Sequence, residues 1–281
     1  MIMNEPEGQG RPRLALVNLG SGSSGNCSLL HAARDGRSCR VLIDLGFSIR
    51  RTRRQLDELG LELEDIDHVF LTHLDRDHFN PSWSRTLASL RIPVHVAPGH
   101  AAEALRAGCP EACLATLDDS AELEGGLEVH VISLAHDESG CSAFRFQLGD
   151  KRLGFATDLG HVPDELIEFF DGVHLLAFES NYDRSMQIES DRPEFLKQRI
   201  MGGRGHLSNE QSLNAILRIA DRCELESIML LHLSRQCNAT WCIEELYAAC
   251  APQLRERLVI TNQSDATPWI ECTPLVHATG A

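Results

Sequence analysis

An apolar run that stops abruptly in four potential metal ligands does most to limit how this chain folds. Val69-Phe70-Leu71 is hydrophobic and β-branched enough to form a buried strand, and it gives way to Thr72-His73-Leu74-Asp75-Arg76-Asp77-His78. In layered α/β proteins ligands collect at the carboxyl ends of strands, so the cluster begins where a site is expected. His73, Asp75, Asp77 and His78 supply two imidazoles and two carboxylates within six positions, enough for a strand-end loop to fold around two metal ions. A solvated loop accounts for one or two such residues but not for four at this spacing.

The pattern recurs along the chain. Ile43 leads to Asp44, Leu134 to His136-Asp137, Phe155-Ala156-Thr157 to Asp158, and Leu230-Leu231 to His232. A single Asp or His at a strand end is most often a cap or turn former. Five strands that each end in a ligand type point to convergence on a metal centre. Between these points strands and helices interleave. Arg13–Leu19, Cys27–His31 and Cys39–Ile43 read as strands, and Ser48 caps a helix that Gly60 stops. Helices follow at Pro81–Leu90, Gly99–Ala107, Pro163–Phe170, Asn209–Asp221 and Thr240–Cys250. Further strands read at Asp67–Leu71, Pro93–Ala97, Cys113–Leu117, Leu127–Leu134, Ser142–Leu148, Arg152–Ala156, Val173–Phe178, Ser227–Leu231 and Leu258–Thr261. With no repeat of fixed period and no linker-like stretch, the pattern suits two sheets packed face to face with helices outside. The expected organisation is a flexible N-terminal segment, residues 1–12, followed by a single domain over residues 13–281.

The composition, 43% hydrophobic and 24% charged, is that of a globular protein. Met1–Arg13 has no apolar segment of the kind that directs export, and no run is long enough to span a bilayer, so a cytoplasmic location and no membrane contact are expected. The ten cysteines form no C-x-x-C pair and read as reduced, mostly buried small hydrophobes. A net charge of −15 argues against nonspecific coating of nucleic acid, though bound metals and a local basic patch can offset the field at a site. Two candidate patches exist, Arg50–Arg54 and the stretch from Arg184 to His206, each also readable as a solvated helix face. The three tryptophans, Trp83, Trp241 and Trp269, are too dispersed for a base-stacking platform and read as core residues. Of the remaining histidines, His161 stays a candidate for a site contact, while the others, His68 and His95 among them, read as structural or exposed.

The order strand–Asp44, His73-x-Asp75-x-Asp77-His78, His136, Asp158 and His232 resembles the ligand series of metallo-β-lactamase-fold hydrolases. Within them, Leu19-Gly20-Ser21-Gly22-Ser23-Ser24-Gly25-Asn26-Cys27, Glu179-Ser180-Asn181-Tyr182-Asp183 and Gly205-His206-Leu207-Ser208-Asn209 resemble the WalJ/YycJ branch of DNA exonucleases, as does His232-Leu233-Ser234 with Asn238. The resemblance implies a four-layer αββα sandwich of two mixed β-sheets flanked by helices. It also implies two divalent cations, zinc or manganese with iron as a further candidate. His73, Asp75 and His136 would hold the first, Asp77, His78 and His232 the second, and Asp158 would bridge them. A hydroxide between the ions would attack phosphorus, with DNA as the favoured substrate. Asp77, His206 and Glu179 are the catalytic candidates, and Asp44 is expected to orient a ligating histidine. His206 precedes a helix whose first amides attract phosphate, and it could protonate the leaving oxygen. Asp75 departs from the family pattern, which has histidine there. A carboxylate at that place shifts the expected metal toward manganese or iron, or else it points away and leaves one site weak. Two other readings stand beside the exonuclease: a small-molecule hydrolase on the same centre, such as a cyclic phosphodiesterase or lactonase, and a degenerate member that binds without catalysis.

Overall fold

The computed structural model describes residues 12–134 and 140–272. His136 and all but the last residue of the 1–12 segment lie outside the described residues. Among the described residues the chain forms two seven-stranded mixed sheets, one from six strands of the first half and one strand returned from the C-terminal end, the other from the second half. In the first half β1 (Arg13–Gly20), β2 (Cys27–Arg34) and β3 (Arg37–Ile43) form an antiparallel meander, with its second turn at Asp35-Gly36. Helix α1 (Ile49–Glu58) then crosses to β4 (His68–Phe70), α2 (Ser84–Leu90) to β5 (Val94–Val96) and α3 (Ala101–Ala107) to β6 (Leu114–Thr116), all parallel to β3. The caps follow the sequence: the Ser48 side chain accepts from the amide of Arg51, and Gly60 leaves the helix at φ +74°.

The second half repeats the plan. Antiparallel β7 (Ser120–Leu123), β8 (Leu127–Leu134), β9 (Cys141–Leu148) and β10 (Lys151–Ala156) precede α4 (Asp164–Phe169) and β11 (Leu175–Glu179). Helices α5 (Arg184–Glu189), α6 (Glu194–Met201) and α7 (Asn209–Ala220) then lead to β12 (Ser227–Leu231), and α8 (Thr240–Cys250) to β13 (Leu258–Ile260). Strands β10 to β13 run parallel, and the short β14 (Ile270–Glu271) returns to the first sheet beside β1.

Side-chain alternation sets the four layers. Along β12, Met229 and Leu231 pack between the sheets with Phe70, Phe144 and Phe155, while Ile228 and Leu230 face Leu213, Ile216 and Ile243 of α7 and α8. In the first sheet Leu14 and Leu16 enter the same inter-sheet core, while Val17 and Leu19 join the outer layer with Leu56, Trp83 and Leu87. Strands buried on both faces explain the continuous apolar runs of the sequence. The fold is the αββα sandwich that the resemblance implies.

Some sequence expectations differ from the structure. Pro81–Trp83 is a 3-10 turn leading into α2, not the first turn of one helix. The helices α5 and α6 and the strands β7 and β14 do not stand out in the sequence, because each is short and lacks a clear apolar period. Trp83 and Trp269 pack inside or half-inside, but Trp241 is 58% exposed on the first turn of α8 and is not a core residue. Among the described residues no helix is long and apolar enough to cross a membrane.

Candidate metal centre

The parallel strands of both sheets deliver their carboxyl ends to one rim. Ala156 of β10 stands opposite Phe178 of β11, and Phe178 opposite Leu230 of β12, so Asp158, Ser180 and His232 come level two residues further on. Asp44, Asp158 and His232 all take left-handed backbone conformations, with φ of 62°, 56° and 58°. By strand alternation each would point toward the outer helix layer, as Leu42, Ala156 and Leu230 do. The left-handed turn ends the pleat and aims the side chain at the rim instead. Such a conformation costs of order 1 kcal/mol or more at a non-glycine residue and concentrates at functional sites.

His78 sits at the middle of the arrangement, fully buried. Its Nδ1 lies 2.7 Å from Asp44 Oδ2 and its Nε2 3.0 Å from Asp158 Oδ2, so strands from both sheets meet on one imidazole. Asp44 also accepts from the Thr72 amide (2.8 Å) and hydroxyl, which binds it to the strand end that carries the His73–His78 loop. The Thr72 hydroxyl is 3.1 Å from His73 Nδ1. His232 Nδ1 is 2.8 Å from Asp158 Oδ2, and its Nε2 is 3.5 Å from Asp77 Oδ2. The loop is held by Gly46, where an added Cβ would lie 1.8 Å from the carbonyl oxygen of Asp77. Only glycine permits that approach. The same carbonyl accepts from the Asn26 amide at 2.8 Å.

Carboxylates and imidazoles here fix one another's charge. Burial alone would lower the pKa of His78, but Asp158, Asp44 and Asp77 outweigh it and hold the imidazole well above its ordinary range. His232, likewise penalised by burial, is pushed up to about 10 by Asp158 and Asp77. Asp158 is held well below the usual carboxylate range: burial opposes this, but His232 and His78 prevail. A centre that retains protons on buried imidazoles is one in which positive charge is demanded by the surrounding carboxylates. Divalent cations satisfy the same demand.

The donor set fits such cations. Three overlapping groups, His73/His78/Asp158, Asp77/His78/His232 and Asp158/Glu179/His206/His232, bring ligand atoms within 4.8 Å of one another. Among the described residues His232 Nε2 is buried with no hydrogen-bond partner, an orphaned lone pair or proton that a cation would satisfy. The structure thus brings His73, Asp77, His78, Asp158 and His232 together. Asp75 joins none of these groups among the described residues. Its side chain is 57% exposed, with Oδ2 3.9 Å from His73 Nε2, at the mouth of the cavity above the centre.

Glu179 is the last residue of β11 and shares the inter-sheet face with Leu175 and Ala177. One carboxylate oxygen accepts from the Leu159 amide, and the other lies 2.8 Å from His206 Nδ1. Its side-chain partner is therefore His206. The cap of α7 is Ser208, which forms a reciprocal capping box with Gln211. The amides of Asn209 and Gln211 are taken by the Tyr182 carbonyl and the Ser208 hydroxyl, so the helix end does not offer those two donors to a ligand. His161 is exposed and does not line the cavity.

That cavity, of about 390 Å³, has Asp77, Asp158, His206 and His232 in its lining, and Arg192, Leu196 and Arg199 along its wall. The basic residues near the centre therefore come from the 184–206 stretch. Arg51, from the other patch, stacks on Phe47 at 3.5 Å and donates to the Gln263 carbonyl. The neutral residues Asn26, Thr72 and Asn181 are not among the expected site residues, although Asn26 and Asn181 lie in segments that carry the resemblance: Asn26 Nδ2 lies 3.0 Å from His78 Nε2, and Asn181 Nδ2 donates to the His232 carbonyl at 2.8 Å. Nothing in their type marks them, although Asn26 lies in the glycine-serine turn. Far along β4 and β5, His68 links His95 (3.0 Å) to Glu124 (2.7 Å), a structural chain apart from the centre.

Fold and centre together are those of a metal-dependent hydrolase of the β-lactamase superfamily. The chain belongs to that superfamily: the signature of the beta-lactamase superfamily domain matches residues 39–233. The fold implies divalent metal ions. The sequence is similar to an exodeoxyribonuclease YycJ of Bacillus anthracis, 28% identical over 226 residues, covering 78% of this chain and 82% of that protein. It is also similar to the exodeoxyribonuclease WalJ of Streptococcus pneumoniae serotype 2 (strain D39 / NCTC 7466), 26% identical over 230 residues, covering 78% and 81%. Among solved structures, the metallo-beta-lactamase fold protein YhfI from Bacillus subtilis aligns with a TM-score of 0.65 at 14% identity, over 92% of this chain and 99% of that one.

Proposed function

We propose that this chain is a binuclear metal-dependent phosphodiesterase that degrades polynucleotides as an exonuclease, with DNA as its preferred substrate. The observation that carries the reading is the pairing of an acidic, histidine-rich centre with arginines on its open wall. In a chain with 41 acidic and 26 basic residues, Arg192 and Arg199 bring cationic charge to the place where a phosphodiester must enter. The likeness to two exodeoxyribonucleases over most of the chain supports it.

In this reading His73, His78, Asp77, Asp158 and His232 would hold the ions. His136 and Asp75 complete the set, and the mixed nitrogen and oxygen donors suit zinc, manganese or iron. Bound there, the ions supply Lewis acidity toward a phosphate oxygen and make water a stronger acid. The protein does the rest. Asp44 and Thr72 fix the imidazole planes of His78 and His73. The carboxylate of Glu179 can only accept, so it holds the Nδ1–H of His206; when the imidazole is doubly protonated, its Nε2–H is the proton passed to the leaving oxygen and Nδ1–H stays with Glu179. Arg192 and Arg199 draw the phosphodiester in.

The test is an assay of linear DNA, RNA and cyclic nucleotides with manganese and with zinc. Cleavage of linear DNA that is lost in Asp77→Ala, with the fold intact, supports the reading. Cleavage of cyclic nucleotides alone would replace it with a small-molecule hydrolase, which the net charge of −15 favours. Less than about one equivalent of metal after repletion would make the chain a non-catalytic member.

A further inference from the structure

A second cavity, of about 520 Å³, adjoins the first and shares with it Ser23, Arg192, Ser234 and Gln236. Its character differs from that of the chain as a whole. The lining includes Arg192 and Arg235, the hydroxyls of Ser23 and Ser24 and the amides of Gln236 and Gln263, and contains no carboxylate. Arg192 is half-buried and held from three sides by neutral acceptors alone: Nε donates to Gln236 Oε1 (3.2 Å), Nη1 to Gln187 Oε1 (3.0 Å) and Nη2 to Ser234 Oγ (3.1 Å). Among the described residues it forms no ion pair, and neither does the exposed Arg235 beside it. A guanidinium fixed in place without a counter-ion is a seat for an anion that comes from outside. Ser23 and Ser24 are exposed at the tip of the glycine-serine turn. That turn is anchored where the Ser21 hydroxyl accepts from the amide of His232, so it is tied directly to the metal centre.

We propose that this second cavity binds the phosphodiester adjacent to the scissile one, so that the substrate strand runs from the centre past Arg192 to Arg235 and the Ser23–Ser24 tip. The inference rests on the phosphodiesterase reading above and adds its specificity: the site takes a strand with at least two consecutive phosphates. Arg192 stands between the two seats, and Arg235 and the serines serve the outer one only.

The test compares two substrates in the metal-loaded enzyme, a short single-stranded oligodeoxynucleotide and bis(p-nitrophenyl) phosphate, which has a single phosphodiester. In Arg235→Gln, at the outer seat only, kcat/KM for the oligonucleotide should fall at least about tenfold more than for the small ester, with the loss mainly in KM, whereas Arg192→Gln, between the two seats, should lower both. The dependence of log KM on log salt should also lose about 0.7 of its slope per arginine removed. Arg192→Lys, which retains the charge, should keep the slope. Activity on the small ester shows that Arg235→Gln is folded. Equal losses on both substrates in Arg235→Gln, or an unchanged salt slope, would overturn the inference while leaving the phosphodiesterase reading intact. A wild-type enzyme that cleaves the small ester and no oligonucleotide would overturn both, without recourse to any variant.

Discussion

Asp44 Oδ2 stands 2.7 Å from His78 Nδ1, both side chains fully buried, and this contact joins the first sheet to the centre. The carboxylate receives the Thr72 amide and hydroxyl as well, so it holds the imidazole plane rigidly with Nε2 toward Asp158. A partner of this kind typically contributes 10–100-fold to metal affinity. Asp44→Asn retains the shape but presents an amide where two donors converge. Metal affinity, measured by competition with a chromogenic chelator, should fall by about that factor. Unchanged affinity would mean that Asp44 serves folding alone.

Glu179 makes a separable prediction. Both of its oxygens face donors, the Leu159 amide and His206 Nδ1, and a glutamine can match only one of them. Glu179→Gln should therefore lower kcat by about 10- to 100-fold, up to the lower end of what general acid catalysis contributes, while bound metal stays near the wild-type amount. A parallel loss of metal would make Glu179 and His206 part of the ligand set, which their place in the Asp158/Glu179/His206/His232 group allows.

How much of this is legible in the sequence depends on whether a residue's type declares its role. Asp158 and His232 can be read because each ends an apolar run in a side chain that binds metal, and the same ending recurs along the chain. The register of β10, β11 and β12 then brings them level. Asn26 and Thr72 cannot, since a neutral side chain that bonds to a histidine looks like any turn or strand residue. The arginine stretch is visible as charge, but its place at the cavity depends on the short helices α5 and α6, interrupted at Pro193 and too brief for a period to show. Asp75, which spacing groups with His73 and Asp77, lines the cavity with Oδ2 3.9 Å from His73 Nε2, and the third member of its expected set, His136, lies outside the described residues. Trp241 reads as core by residue type alone, and nothing in its position requires that.

The cysteines predict a simple labelling pattern. Cys250 is exposed, Cys223 half-buried, and the other eight are buried. Burial, chiefly, pushes the Cys39 and Cys272 thiols up to about 12 and Cys109 to about 11, and raises Cys141 further with help from Asp158. Because the thiolate is the reactive form, a thiol reagent at pH 8 should find one fast site in the native protein, and Cys250→Ser should remove it. All ten should react after denaturation. Three or more fast sites would contradict the burial of this set.

Acid stability follows from His31, on β2 well away from the centre. Burial first, then the charges of Arg40 and Arg13, lower its pKa to about 4, and its ring packs edge-on to Trp269 with centroids 6.1 Å apart. An unfolded histidine takes up its proton near pH 6.5, whereas the folded one resists until about pH 4. Between these values the unfolded state binds more protons, so the contribution of His31 to stability is full above pH 6.5 and is lost as the pH falls toward 4. His95, lowered to about 4 by burial and by His68, acts in the same window. In His31→Gln, with metal chelated so that its release does not enter, the drop in Tm from pH 7 to pH 5 should be smaller than in wild type by a few degrees, on the order of 2–4 °C. An identical drop would show that His31 titrates normally in the folded protein and that its neighbours Arg40 and Arg13 exert no net effect on it.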